Sequence, residues 1–508
     1  MTLRINSLAA KALVAAFALC AATLASAQAT QARLAVSLDE PSPRIEPTVY
    51  GHFVEHLGRG VYDGLWVGPE SSIPNTRGWR NDVVQALRRV GIPVMRWPGG
   101  CFADDYDWRD GIGDPAKRPA RRNIWWGGLE TNRVGTHEFM DLVEQLDSEA
   151  YLSGNMGSMP PRAMAQWIEY ITAGENSALT QERRRNGRDK PWKLKYFGVG
   201  NESFGCGGSM RPEYQSDLHN QYATFLKGVT RVASGDGEGD DHRVEVLMSR
   251  SARHMDAFTL HYYSLPDNWT RHGDATGFDA GAWARTLKSA LGMDGRIEAI
   301  KRIMDKHDPD KRVALYVDEW GTWYDTPPGA SALFQQNTLR DAVLAAVSFN
   351  IFHRHTDRVK MANIAQMVNV LQSMVLTEGD KMVLTPTYHA FDLYKPFRGA
   401  TPLAIKLDAP VFRTGDVELP AVHASAARAP DGKLLLALVN LDPSHPARVA
   451  TNLTGSARGR VLTAQSMDAH NTFQQPQAVA PAPYAAASSG LLDLPPKSVV
   501  VVEIVPRP

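Results

Sequence analysis

Short apolar, β-branched runs alternate with stretches of helical period over some three hundred residues of the chain. The runs are TVYGHFVEH (48–56), PVMRWPGG (93–100), EAYLSGNMG (149–157), KYFGVGNE (195–202), TRVASG (230–235), DAFTLHYY (256–263), RVALYVDEW (312–320) and MANIAQMVN (361–369). Between them, segments such as WRNDVVQALRRVG and THEFMDLVEQLDSE place apolar residues three and four apart and predict outer helices. Strands that alternate with helices predict a parallel sheet, and eight of them suit a closed (β/α)8 TIM barrel. An open doubly wound sheet would need a glycine-rich phosphate loop after its first strand, and GHFVEHLGRG is not one.

The last part of the chain changes character. Proline, glycine and serine punctuate short β-rich runs, KLLLALVNL (433–441), ARVATNL (447–453), RGRVLTA (458–464) and SVVVVEI (498–504), with no helical period between them. This predicts a C-terminal antiparallel β-sandwich. ARLAVSLDEPSPRI, before the barrel, alternates like a strand and is expected to join that sandwich. The expected division is residues 28–47 as the joining strand, 48–384 as the barrel and 385–508 as the sandwich.

Residues 1–27 read as a secretory signal. Arg4 and Lys11 precede the apolar run Ala12 to Leu24, which is too short to span a membrane, and Ala25-Ser26-Ala27 offers a small-residue cleavage site before Gln28. A secreted or periplasmic protein without a membrane anchor is therefore expected. A lipoprotein cut at Cys20 would fall inside the apolar run and is disfavoured.

Charge narrows the partner. With 55 basic and 55 acidic residues the net charge is zero, so neither nucleic acid nor an anionic membrane is indicated, and a neutral substrate fits better. Beyond the signal only Cys101 and Cys206 remain, too few for a disulfide framework and not spaced for zinc.

In such a barrel the C-terminal ends of the strands surround one cavity. Those ends carry Glu55 and His56, Cys101 and Asp105, Asn155, Asn201 and Glu202, His261 and Tyr263, Glu319 and Trp320, and Gln366 and Asn369. One polar strand end is usually a loop contact, but so many in one ring point to a site. Glu202 and Glu319 follow apolar runs that fix their positions. Asp318 adjoins Glu319, and strand alternation lets one of the two face the cavity; Glu319 is expected there, with Leu315 and Val317 in step beneath it. Two carboxylates across a sugar-sized cavity are what retaining glycoside hydrolysis needs, one as nucleophile and one as acid and then base. Trp97, Trp108, Trp125, Trp126, Trp320 and Trp323 fall in or near the expected top loops, where rings could stack on sugars.

HFVEH, His52 to His56, also fits an inverted zinc-peptidase motif. That motif works on a helix, whereas Val49, Tyr50, Phe53 and Val54 favour a strand and Gly51 and Gly58 break a helix. A sugar-binding protein that had lost catalysis would most simply lack one of the two glutamates, and both are present.

GHFVEHLGRGVYDGLW, MRWPGGCFADDYDWRDGIG, NIWWGGLETNRVGTHEFM, GVGNESFGCGG, LHYY, VDEWGTWY and NIAQMVNVLQ, in that order, resemble the successive motifs of glycoside hydrolase family 51, the α-L-arabinofuranosidases. The resemblance implies a barrel with a C-terminal sandwich and hydrolysis with retention, Glu202 being the acid/base and Glu319 the nucleophile. It implies sugar contacts from Glu55, Cys101, Asn201, His261, Tyr263 and Gln366, with Tyr263 holding Glu319 and Cys101 against the sugar; Cys101 and Cys206 are expected as free thiols, a bridge between them in an oxidising compartment being the alternative. Glu202 is expected to keep its proton beside negative Glu319 and to lose it once Glu319 becomes a glycosyl ester. The expected partners are arabinose-containing polysaccharides or oligosaccharides, with no cofactor, no metal, no nucleic acid and no membrane, and the chain is expected to form a homo-oligomer. Ser203 and Phe204, where related sequences often carry Asn and Trp, and a short acidic segment from Gly235 to Asp241 depart from the family pattern near the aglycone. β-Xylosidase or endoglucanase activity is the alternative within this class.

Overall fold

The computed structural model describes residues 29–38, 42–237, 239–486 and 488–505. The expected signal, residues 1–27, lies outside them. Eight parallel strands close into a barrel: Gly51–Phe53, Val94–Trp97, Glu149–Gly154, Tyr196–Val199, Thr230–Asp236, Ala257–Ser264, Ala314–Thr322 and Val359–Ala365, the last pairing with the first. Each begins within a few residues of the run that predicts it. The lower interior is filled by Val94, Tyr151, Tyr196, Val232, Ala257, Tyr316 and Met361. The first strand is the exception in length, because residues Pro47–Tyr50 form a 3-10 turn that delivers the chain to Gly51.

Helices cover the barrel as the periodicity predicts. Asn81–Val90 buries Val83, Val84, Ala86, Leu87 and Val90, the three-and-four spacing of one face. Leu339–Arg354 is different: Leu339 through His353 are all buried, so it has no wet face. It starts with a capping box, Thr338 and Asp341 satisfying each other's backbone N–H groups. It runs between the barrel and the C-terminal domain, which accounts for its continuous apolar sequence.

That domain is two packed sheets. Thr30–Val36 lies in one, antiparallel to Ile405–Asp408 and parallel to Ala447–Thr451. The other sheet is antiparallel and contains Val422–Arg428, Leu434–Asn440, Ser498–Val505 and Ser456–Leu462. Leu434, Leu436 and Leu438 point into the core between the sheets with Leu34, Val449, Val500 and Val502. Their neighbours Leu435, Ala437 and Val439 pack on the other side, in the large core shared with the barrel helices. A strand buried on both faces has no polar alternation, which is why LLLALV is uniformly apolar.

Strand seven corrects the expectation for Asp318 and Glu319. Leu315 and Val317 face outward into the helix-side core, and Tyr316 faces the barrel interior. Simple alternation would then send Glu319 outward. A bulge intervenes: Thr259 pairs with Tyr316 but His261 pairs with Glu319, and Val317 pairs with Ala362 but Trp320 with Ile364, so the seventh strand carries one extra residue against both neighbours. Bulges re-aim side chains, and this one turns both Asp318 and Glu319 toward the top of the barrel.

Candidate active site

The cavity is organised around Arg96, in the middle of the apolar strand VMRW and 2% exposed. Its guanidinium reaches Glu319 Oε1 at 2.6 Å through Nη1 and Asn201 Oδ1 at 2.5 Å through Nη2, and its Nε lies 3.4 Å from Asp318 Oδ2. Tyr263 donates from Oη to Glu319 Oε2 at 2.7 Å, so both oxygens of Glu319 are held. Tyr151 donates to Asp318 Oδ2 at 2.8 Å. Burial and the neighbouring Glu319 carboxylate push the Tyr263 phenol well above its usual range, so it remains a donor.

Glu202 enters from the end of strand four. Its φ of 38° is left-handed, and with it the chain turns out of the strand to present the side chain at the barrel mouth. His261 Nδ1 lies 2.8 Å from Glu202 Oε1 and 3.5 Å from Glu319 Oε2, while its Nε2 is 3.2 Å from Asp318 Oδ1. Burial alone would keep His261 neutral, but the Glu319 and Asp318 carboxylates outweigh burial and push it up from 6.5 to about 10. That favours the imidazolium, a donor at each nitrogen, set among the acid groups of Glu202, Glu319 and Asp318. Carboxylate oxygens of Glu202 and Glu319 lie within 4.8 Å of one another and of this ring.

A second group closes the cavity. Glu55 Oε1 accepts from the Phe102 N–H at 3.0 Å and from Trp126 Nε1 at 2.9 Å, and Gln366 Nε2 donates to Glu55 Oε2 at 3.3 Å. Burial pushes the Glu55 carboxyl up to about 7 against the pull of the Phe102 and Trp126 donors. Two glycines leave the space: a Cβ on Gly99 would sit 2.5 Å from Glu55 Cγ, and one on Gly100 would sit 3.0 Å from Glu319 Oε1. Buried Asp104 accepts from the backbone N–H groups of Met156, Gly157 and Asn201 at 2.7, 2.8 and 2.8 Å, fixing the position of Asn201. Burial nevertheless pushes its carboxyl up to about 7.

Of the residues expected at the strand ends, Glu55, Asn201, Glu202, His261, Tyr263, Glu319 and Gln366 converge here. Cys101 reaches the same place, but the expectation of free thiols is wrong: Cys101 and Cys206 form a disulfide, with Cα atoms 5.4 Å apart. Strands two and four are not neighbours, yet both cysteines lie beyond the strand ends, in loops that meet over the barrel. Other strand-end residues are structural. His56 pairs with buried Glu130 at 2.7 Å, Asn155 caps the turn at Ser158, and Asn369 bonds Arg59 O and Thr377. Trp97, Trp108 and Trp320 are core rather than sugar platforms, Trp97 stacking on Phe139 and Trp320 packing among Phe349, Phe352 and Phe391. At the mouth stand half-buried Trp323, edge-on to Tyr263, and Trp269, which is 56% exposed and which sequence reasoning missed. HFVEH is no metal motif in this geometry: His52 packs on Phe391, Glu55 enters the cavity and His56 meets Glu130.

Arg96, Asp104 and Tyr151 were also missed, and Asp318 was set aside in favour of Glu319. A signal existed for two of them, since an arginine inside VMRW and an aspartate inside YVDEW are charges within otherwise apolar strands.

Comparison with known proteins bears on this arrangement. A family model described as the α-L-arabinofuranosidase C-terminal domain matches residues 318–498, and one described as α-L-arabinofuranosidase 1 domain matches residues 86–278. An intracellular exo-α-L-arabinofuranosidase of Bacteroides ovatus is 45% identical over 97% of this chain and 99% of its own length. The crystal structure of the GH51 arabinofuranosidase from Xanthomonas axonopodis pv. citri is 49% identical with a TM-score of 0.91, over 94% of this chain and 100% of that one. An α-L-arabinofuranosidase from Thermotoga maritima, solved as an arabinose complex, is 27% identical with a TM-score of 0.83, over 93% and 99% of the two chains. The secreted or periplasmic location expected from residues 1–27 is overturned by the Bacteroides relative, which is intracellular; a short apolar run flanked by basic and small residues is too weak a signal to outweigh it. Barrel, sandwich, carboxylate-lined cavity and relatives agree: the chain belongs to glycoside hydrolase family 51, the α-L-arabinofuranosidases.

Proposed function

We propose that this enzyme removes terminal α-L-arabinofuranosyl residues from arabinose-containing polysaccharides or oligosaccharides by double displacement, with Glu319 as nucleophile and Glu202 as acid and then base. The observation that carries the reading is the pair of carboxylates whose oxygens lie within 4.8 Å of each other. That is the spacing of retaining enzymes, about 5 Å, and leaves no room for the water that an inverting enzyme places between sugar and base.

The environments of the two glutamates support different roles. Glu319 is 5% exposed and held at both oxygens by Arg96 and Tyr263, the fixed aim a nucleophile needs. Glu202 is half-buried at the mouth, with Oε1 on His261 and Oε2 free of any hydrogen-bond donor, placed to protonate a departing glycosidic oxygen. As that proton leaves, the His261 imidazolium stabilises the carboxylate formed. Glu55 and Gln366 close the inner end and supply acceptors and donors for the hydroxyls of one small ring, which suits a terminal sugar. Asn201, aimed by Arg96, is assigned to the sugar hydroxyl next to the anomeric carbon, where a hydrogen bond would strengthen as positive charge develops. Trp269 and Trp323 offer ring faces to the part of the glycan outside.

The test is Glu202→Ala. It should lose most activity on an arabino-oligosaccharide, whose leaving alcohol needs a proton, yet still form the glycosyl ester from an activated aryl arabinofuranoside. A burst should precede slow turnover, and azide should restore the steady rate. Full activity on the oligosaccharide would overturn the assignment.

A further inference from the structure

Glu202 stands at the head of a loop that few side chains can pin. Residues 205, 207 and 208 are glycine, and the backbone folds on itself through Gly205 N–H and Gly207 N–H to Glu202 O at 2.7 and 3.1 Å. The covalent tie is the disulfide from Cys206 to Cys101, which opens the 3-10 turn Cys101–Asp104 beyond the second strand. Cys206 Sγ lies 3.6 Å from Glu202 Oε2 and 3.7 Å from Asn201 Nδ2, and Cys101 Sγ also comes within 4.8 Å of a Glu202 oxygen.

This contact sorts the two oxygens of Glu202. Oε1 receives the His261 Nδ1 proton, so the proton destined for the leaving group belongs on Oε2. The atom beside Oε2 is a disulfide sulfur, which has no proton to give. Were the bond reduced, Cys206 would carry an S–H group at that position, able to donate to Oε2 and compete for the lone pair that holds the acidic proton. The loop would at the same time lose its tie to the second strand.

We infer that the Cys101–Cys206 disulfide is a positioning element for acid catalysis, keeping Glu202 Oε2 free and aimed, and that the oxidation state of this pair sets how well the enzyme cleaves unactivated linkages. The inference rests on Glu202 being the acid. Reduction by a phosphine breaks the S–S bond, each sulfur takes an electron and a proton, and the phosphine becomes its oxide with oxygen from water. Both cysteines are half-buried, so a small reductant reaches them.

The experiment compares the whole enzyme as isolated, after phosphine treatment, after reoxidation, and as Cys101→Ser/Cys206→Ser. Free thiols are counted in each, and kcat/KM is measured for an alkyl and for a dinitrophenyl α-L-arabinofuranoside. The expected result is two more free thiols after reduction than as isolated, whether or not Cys20 is still in the chain, with a loss of at least about tenfold on the alkyl glycoside against less than about threefold on the dinitrophenyl glycoside, reversed on reoxidation. The reduced wild type carries the test if the double variant does not fold. Equal losses on both substrates, no loss on either, or no gain of free thiols on reduction would overturn the inference. Glu202→Ala, run alongside, separates the failures: if it shows no leaving-group dependence the acid assignment fails, and if it does while the reduced enzyme does not, only the positioning role fails.

Discussion

Replacing Asp318 by asparagine probes the charge network under the site. Asp318 is 1% exposed, lies 3.4 Å from Arg96 Nε and 3.2 Å from His261 Nε2, and accepts from Tyr151 at 2.8 Å. Asparagine keeps the shape and the acceptor for Tyr151 but removes the charge. Removing one partner of a buried ion pair costs about 3–5 kcal/mol. Here both cations keep a second carboxylate, Glu319, at 2.6 Å from Arg96 and 3.5 Å from His261, which puts the cost at the low end, about 3 kcal/mol. The pH dependence is more specific. His261 is raised from 6.5 to about 10 in the folded protein, so the stability it contributes is fully present below its unfolded value and is lost as pH rises toward 10. Without Asp318 the folded value falls, so the decline still starts near the unfolded value but ends at lower pH and is smaller in total. Thermal unfolding midpoints of wild type and Asp318→Asn, measured from neutral to alkaline pH, should therefore differ in position of the decline as well as in height. Two curves that run parallel through the alkaline range would refute the reasoning, because the variant would then have lost a contact without altering His261.

Trp126→Phe keeps a ring but removes the Nε1 donor 2.9 Å from Glu55, and KM for an aryl arabinofuranoside should rise about tenfold with a smaller change in kcat, read from steady-state kinetics. Glu55, raised to about 7, gains acceptor strength as it ionises; KM should fall as pH passes upward through 7 in the wild type, and this step should vanish in Glu55→Gln. Asp104→Asn puts an amide where three backbone N–H groups expect an acceptor and should cost about 1–3 kcal/mol in urea unfolding, most visibly in protection of the Asn201 amide from hydrogen exchange.

The periodicity carried the barrel because parallel strands covered on both faces leave uninterrupted apolar runs, and it carried the sandwich because short strands are bounded by proline and glycine. LLLALV and SVVVV were legible as strands, while their double burial, against the second sheet and against the helix Leu339–Arg354, depends on which domain packs beneath them. The site was legible wherever chemistry ends a strand, as at Glu202, His261 and Tyr263. Glu319 was chosen on a mistaken ground, since Leu315 and Val317 face outward and a one-residue bulge does the re-aiming, and a bulge follows from pairing with two neighbouring strands rather than from local sequence. The disulfide was set aside on a similarly incomplete ground: strand adjacency governs the barrel wall, but the loops above it cross between strands that never touch. Arg96 and Asp318 sat in plain view as charges inside apolar strands, the signature of a buried pair.

The central claim is that Glu319 becomes covalently bonded to the sugar. An activated arabinofuranoside bearing fluorine in place of the hydroxyl next to the anomeric carbon slows both steps, while a good leaving group preserves the first, so the glycosyl ester accumulates. Proteolysis and mass spectrometry of the trapped enzyme should locate one fluoroarabinosyl group on Glu319, in the peptide that also contains Asp318. A label on Asp318 or Glu202, or turnover of the natural substrate with inverted configuration, would contradict the account.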